Sequence, residues 1–218
     1  VPLYVHPTVD PAAWQALRGR ARQLYAVVLN AADGPGKRPD PAFEAAADEL
    51  HSAGVRLLGY VDTDYGRRPL RAVLTDIRRH RRWYGVDGVF FDQAAARPLL
   101  LLRYHMLARA ARLLGARTVV LNPGIHPHPG YAKIADVLVT FEGDWHTYQR
   151  VQVPAWAARH DPWRFCHLVY AVPDRQRGQV ASTSYNRGAA LHCAVPGKGS
   201  NPWRYPPADG NNDVGQDG

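Results

Sequence analysis

The sequence predicts a compact, single-domain α/β fold of the (β/α)8 TIM-barrel type. Eight short apolar runs, each bounded by Gly, Pro, Asn or Asp, recur along the 218 residues. Helix-like stretches separate most of them, and such alternation builds a parallel sheet with helices outside. Eight units favour a closed barrel over a flavodoxin-like sheet, which uses about five strands. Against the roughly 250 residues typical of the barrel, this chain must have spare loops.

The run at 2–6 opens the chain as a strand. Asp10 is a good N-cap, and Pro11 suits the first position of a helix over 11–24. A strand at 25–30 follows. Asp40 and Pro41 repeat the cap for a helix over 41–52, which stops before Gly54. Strands at 55–62 and 88–92 flank an amphipathic helix over 69–84 that ends at Gly85. A helix over 98–114, stopped by Gly115, leads to a strand at 118–122. The last three strands fall at 137–142, 165–172 and 189–195, with weaker helical signals at 131–135, 147–159 and 175–185. Residues 1–195 form one domain, and 196–218, rich in Gly, Pro, Asn and Asp, read as a tail that Trp203 and Tyr205 are able to dock.

Composition narrows the function. With 46% hydrophobic and 21% charged residues the chain is globular rather than disordered. No run approaches the ~18 apolar residues of a membrane span. No signal peptide is visible before Val1, and one is expected to have been removed from a mature chain. The net charge of +8 is almost all arginine, since only Lys37, Lys133 and Lys198 are lysines. The densest cluster, Arg78, Arg79, His80, Arg81 and Arg82, closes a predicted helix, where cations suit the dipole. It reads as a solvated helix end in preference to a nucleic-acid patch, since no nucleic-acid motif accompanies it. Cys166 and Cys193 read as two buried free thiols, with a disulfide as the alternative.

The chemistry gathers at the strand ends. Side chains alternate along a strand, so each run finishes with two residues on one face. These are Tyr4 and His6, Val28 and Asn30, Tyr60 and Asp62, Phe90 and Asp92, Val120 and Asn122, and Thr140 and Glu142. Asn and Asp also start turns, but six such ends around one barrel mouth make a shared polar pocket. Asp92 and Glu142 are the candidate catalytic pair. Strands two apart lie about 10 Å from one another, and inward side chains bring the carboxyls within the ~5–9.5 Å used in glycoside hydrolysis. Aromatic residues cluster at the same ends, among them Tyr4, Tyr60, Tyr65, Trp145, Tyr148 and Tyr170, and aromatic faces suit sugar rings. Asp62 and Asp64 form a further acidic element whose alternative role is to bind their own loop. His126 and His128 offer only two metal ligands and fit a rigid loop better, so no metal and no cofactor is expected. Ser182, Thr183 and Ser184 lack the setting of a serine-hydrolase nucleophile.

The segments VPLYVHP, VVLNAADGPG, AGVRLLGYVDTDYGRR, DIRRHRRWYGVDGVFFDQ, VVLNPG and ADVLVTFEG occur in this order. Together they resemble the spherulin 4 (spherulation-specific family 4) proteins, closely over about residues 1–145 and more weakly to about 195. The resemblance implies a (β/α)8 barrel placed with glycoside hydrolase family 135. It implies endo-acting hydrolysis of α-1,4-linked galactosamine/N-acetylgalactosamine-containing exopolysaccharide by a secreted or surface-associated protein. The family's acidic residues are an Asp-Glu pair after the fourth predicted strand and a Glu after the sixth, which here read Asp92, Gln93 and Glu142. Gln93 is a departure, and so is His6, where relatives carry an aromatic. In an α-linked 2-acetamido sugar the nitrogen is cis to the leaving group, so the acetamido oxygen has no backside path and the protein must supply both functions. Asp92 is assigned as nucleophile or base and Glu142 as acid, with the reverse left open. Tyr4, His6, Asn30, Tyr60, Asp62, Gln93, Asn122, Trp145 and Tyr170 are the expected substrate contacts. The partner is a polysaccharide met by a monomer, and the rival reading is a carbohydrate-binding barrel without turnover.

Overall fold

A computed structural model describes residues 1–207. Seven parallel strands form one sheet in chain order: β1 (Val27–Leu29), β2 (Leu57–Asp62), β3 (Gly88–Asp92), β4 (Thr118–Leu121), β5 (Val137–Asp144), β6 (Phe165–Tyr170) and β7 (Leu191–Ala194). The helices are α1 (Pro11–Gly19), α2 (Pro41–Ser52), α3 (Leu70–Tyr84), α4 (Leu101–Leu113), the single-turn α5 (Trp145–Tyr148) and α6 (Arg177–Asn186). The caps act as expected: Asp10 accepts from Ala13 N, and Asp40 from Ala42 N and Phe43 N. The helix expected over 11–24 breaks at Gly19 into a 3-10 turn, Ala21–Gln23, and the one expected over 98–114 begins as a 3-10 turn, Pro98–Leu100.

The eight-stranded closed barrel needs correction: the ordered sheet is seven-stranded, an incomplete barrel. The segment at 2–6 is extended, and Leu3 and Val5 are buried, but it meets β1 only through a bridge from Pro2 to Val28. That bridge carries the bond from Val28 N to Val1 O at 2.8 Å. On the side away from β1, Tyr4 N donates to Trp203 O, 2.8 Å away, so the first segment is tied to the C-terminal one. Inward side chains from β1 (Val28) through β7 (Cys193) share one apolar cluster, so the sheet still curls around a common interior. The outer sides of the strands pack under the helices in separate clusters.

Cys166 and Cys193 are free thiols facing this interior, where burial raises them to about 12 and about 11, so neither is a thiolate at neutral pH. His80 departs from the reading of its arginine cluster as a solvated end. It is fully buried under β2, its Nε2 hydrogen-bonds Tyr60 O at 2.8 Å, and burial lowers it to about 4. Gly59 makes room for it, because a Cβ there would lie 2.6 Å from His80 Cγ and 2.8 Å from its Cβ. Gly59→Ala is therefore expected to destabilise the fold by about 1–3 kcal/mol through overpacking, read as a lower urea midpoint. Among the described residues no helix is long and apolar enough to cross a membrane.

Candidate active site

The C-terminal ends of the strands converge on Asp92 and Glu142. Both Asp92 oxygens accept hydrogen bonds: Oδ2 from Tyr60 OH at 2.8 Å, Oδ1 from Asn122 Nδ2 at 2.6 Å. The same Asn122 nitrogen donates to Glu142 Oε2 at 2.5 Å, and Trp203 Nε1 donates to Glu142 Oε1 at 2.9 Å. An amide nitrogen carries two hydrogens, one for each acid. Its orientation is fixed by Gly124 N, which donates to Asn122 Oδ1 at 3.0 Å. Asp92 Oδ1 and Glu142 Oε2, bonded to one nitrogen, are no more than about 5 Å apart.

A bulge in β5 aims Glu142. The register runs from Val139 opposite Cys166 to Phe141 opposite His167, so one extra residue, Thr140, enters the strand. Val137 and Val139 face the interior before it, while Phe141 packs outward after it. Were Thr140 paired in a regular ladder with no bulge, strict alternation from Val139 would turn Glu142 to the helical side. The expectation that Thr140 and Glu142 share a face by simple alternation thus gave way to a break in alternation at Thr140.

Burial raises both acids above the usual carboxylate range. For Asp92 the bonds from Tyr60, Asn122 and Gln93 N oppose this, and the charge of Asp62 adds to it. For Glu142 the charge of Asp92 is the second raising cause, opposed by Asn122 and Trp203. Asp92 has more donors and Glu142 more repulsion, so Glu142 is the better holder of a proton.

Two cavities meet over the pair, and Asp92 and Glu142 line both. The larger, about 610 Å³, is walled by Tyr4, His6, Asn30, Asp33, Tyr60, Tyr170 and the segment from Gly199 to Trp203. The smaller, about 400 Å³, is bounded by Tyr65, Gln93, Asn122 and Ile125. Half of the Tyr65 surface stays exposed, with the Arg67 guanidinium over its ring at 5.8 Å. Gln93 adopts a left-handed backbone (φ 46°) just past the end of β3, which is why it reaches the site beside Asp92 instead of alternating away.

Tyr4, His6, Asn30, Tyr60 and Tyr170 line the large cavity, Gln93 and Asn122 the small one. His6 is held by Asp40 Oδ2 at 3.1 Å and Thr8 Oγ1 at 2.8 Å. Asp62 and Trp145 line neither. Asp62 Oδ1 accepts from Asp64 N at 2.7 Å, the loop-binding alternative, and reaches the site only through its charge. Asp144 caps α5 by accepting from Thr147 N, and this turn buries Trp145 against Phe141, Tyr148 and Val169. Trp203 and Asp33 were not among the expected contacts. Trp203 is buried, stands edge-on to Tyr170 and holds Glu142. Gly197 permits this docking, since a Cβ there would meet Pro202 O at 1.9 Å. The part of the expected tail up to 207 therefore packs on the domain, with Tyr205 half exposed, and the remainder, 208–218, lies outside the described residues.

The crystal structure of Aspergillus clavatus Sph3 in complex with GalNAc superposes with a TM-score of 0.83 at 25% identity, covering 97% of this chain and 92% of that one. A chitinase from Rhizomucor miehei shares the fold alone, with a TM-score of 0.57 at 12% identity over 88% of this chain and 93% of its own. Spherulin-4 of Physarum polycephalum is 33% identical over 151 residues, which is 65% of this chain. The chain spans 43% of that longer protein. With the spherulation-specific family 4 model matching residues 1–194, strand ends and carboxylate pair included, the chain belongs to that family.

Proposed function

We propose that this chain is an endo-acting glycoside hydrolase that cleaves α-1,4-linked galactosamine/N-acetylgalactosamine-containing exopolysaccharide. The carrying observation is that two cavities meet over one carboxylate pair, leaving room for sugar on both sides of the bond to be cut. Glu142 gives its proton to the glycosidic oxygen while Asp92 bonds to C1, and the electron pair of the broken bond leaves with the departing sugar. Water then attacks C1, Glu142 takes its proton, and Asp92 is released. The sharing of one amide nitrogen, which keeps Asp92 Oδ1 and Glu142 Oε2 within about 5 Å of one another, supports this double displacement, with the configuration retained, over the wider spacing of an inverting site. Asp33, Asp92 and Glu142 face the large cavity with only His6 among the basic residues, which favours amino sugars despite the net charge of +8. The protein acts as a monomer, secreted or at the cell surface.

Gln93 favours a second reading, a carbohydrate-binding barrel without turnover, because it stands where the family carries an acid. Reducing-end release from N-acetylated and deacetylated α-1,4-linked galactosamine polymers separates the two. The expected result is release of oligosaccharides that are first seen by NMR as α-anomers. Retention of polymer with no release, even in Gln93→Glu, would replace the hydrolase by the binding barrel.

A further inference from the structure

We infer that the outer face of α3 and α4 is a docking surface for an anionic lipid bilayer. The two helices are neighbours over adjoining strands, and each turns a straight stripe of residues to solvent. At about 100° per residue, positions i, i+4, i+7 and i+11 fall on one line of a helix. On α3 that line is Arg71, Thr75, Arg78 and Arg82, all exposed. On α4 it is Leu102, Met106, Arg109 and Leu113, exposed by 69%, 48% and 83% at the three apolar positions. Leu99, in the turn before α4, is also 89% exposed.

The opposite side of α4 is already used by the core, through Tyr104, Leu107, Ala108 and Ala111. The outer stripe is thus not part of that core, and three large apolar side chains on one line of α4 differ from scattered exposure. The charge beside them has one sign. α4 contains no acid, and the one acid of α3, Asp76, is buried and paired with Arg68. Arg112 of α4 pairs with Asp136.

An apolar ridge flanked by arginines is the pattern of a surface that lies in a lipid headgroup layer. A soluble polyanion would engage the arginines and leave the leucines in water. A second copy of this face would set arginine stripes against each other. Docking by the helical flank leaves the barrel mouth facing sideways, open to polymer lying along the membrane.

Vesicle co-sedimentation of the whole chain tests this. The protein is expected to sediment with vesicles of phosphatidylcholine and phosphatidylglycerol in equal parts, more weakly as salt rises, and not with phosphatidylcholine alone. Leu102→Gln with Met106→Gln and Leu113→Gln should weaken binding by at least about tenfold. Arg71→Gln with Arg78→Gln and Arg82→Gln should weaken it about a hundredfold. Thermal midpoints guard against misfolding, and Leu113→Gln and Arg78→Gln alone serve where a triple variant melts early. Failure of the unaltered chain to sediment with the anionic vesicles overturns the inference. So does binding that survives loss of the leucines, the mark of a polyanion site. A dimer in the absence of vesicles, abolished by the leucine changes, would give the face to a second copy instead.

Discussion

Asp92→Asn and Glu142→Gln are each expected to lower reducing-end release by about 10³-fold, within the 10²–10⁴ range of a positioned acid or base, while polymer binding stays nearly unchanged. Their pH profiles should differ, which a structural role would not produce. In the unaltered protein Asp92 must be ionised and Glu142 protonated, so activity falls on both sides of an optimum. The acid side is lost as pH falls through the Asp92 pKa, which burial places above the usual carboxylate range. The alkaline side is lost as pH rises through that of Glu142, raised by burial and by the Asp92 charge. Residual turnover in Glu142→Gln should lose its alkaline limb, and in Asp92→Asn its acid limb. An exchange of the two limbs between variants would reverse the roles, and full activity in either variant would remove that residue from the chemistry. Because the acids repel one another, each limb belongs to the pair, and removing one acid should also lower the pKa of the other.

The polar mouth was legible because each strand's apolar run ends on a polar residue, and Asp92 after Gly-Val-Phe-Phe is the clearest case. Glu142 was picked out by the same rule, yet it faces the site through a bulge that a pattern of Val, Thr and Phe does not announce. Trp203 lies 61 residues beyond Glu142, in a stretch whose Gly, Pro and Asn content reads as loop. Its one signal was a tryptophan in a polar segment, and only tertiary packing decides which way such a residue turns. Trp145 shows the converse. It follows Glu142 closely, but the Asp144 cap starts a helical turn there and rotates the ring into the core. The first segment displays the alternation of a strand, with Leu3 and Val5 buried, yet it meets β1 at one bridge and then bonds Trp203 O through Tyr4 N. Burial patterns are local and readable, whereas ladder pairing depends on the partner that folding brings alongside.

Asn122 carries the other large effect, as a positioning residue. Its amide holds one hydrogen bond to each acid, and a bond to an ionised acceptor is worth about 1.5–3 kcal/mol. In Asn122→Leu the carboxylates lose this support at similar side-chain volume. Asp92 should then ionise at a higher pH, because the Asn122 bond opposes the rise that burial causes. The acid limb of kcat/KM moves up accordingly, and turnover falls about 10²-fold because neither acid is held in line with the other. Asn122→Asp should be worse. It replaces the shared donor with a third acid, so the cluster retains an extra proton and the optimum moves further toward alkaline pH. Asn122→Gln keeps the amide but displaces it by a methylene, so it should recover the limb position more than the rate. The test is a kcat and KM pH series on all three variants. Unchanged limbs in Asn122→Leu would show that Asp92 and Glu142 are set by burial and by their other neighbours, without Asn122. A shifted limb with KM hardly altered would place Asn122 where its bonds put it, between the two acids rather than on the sugar.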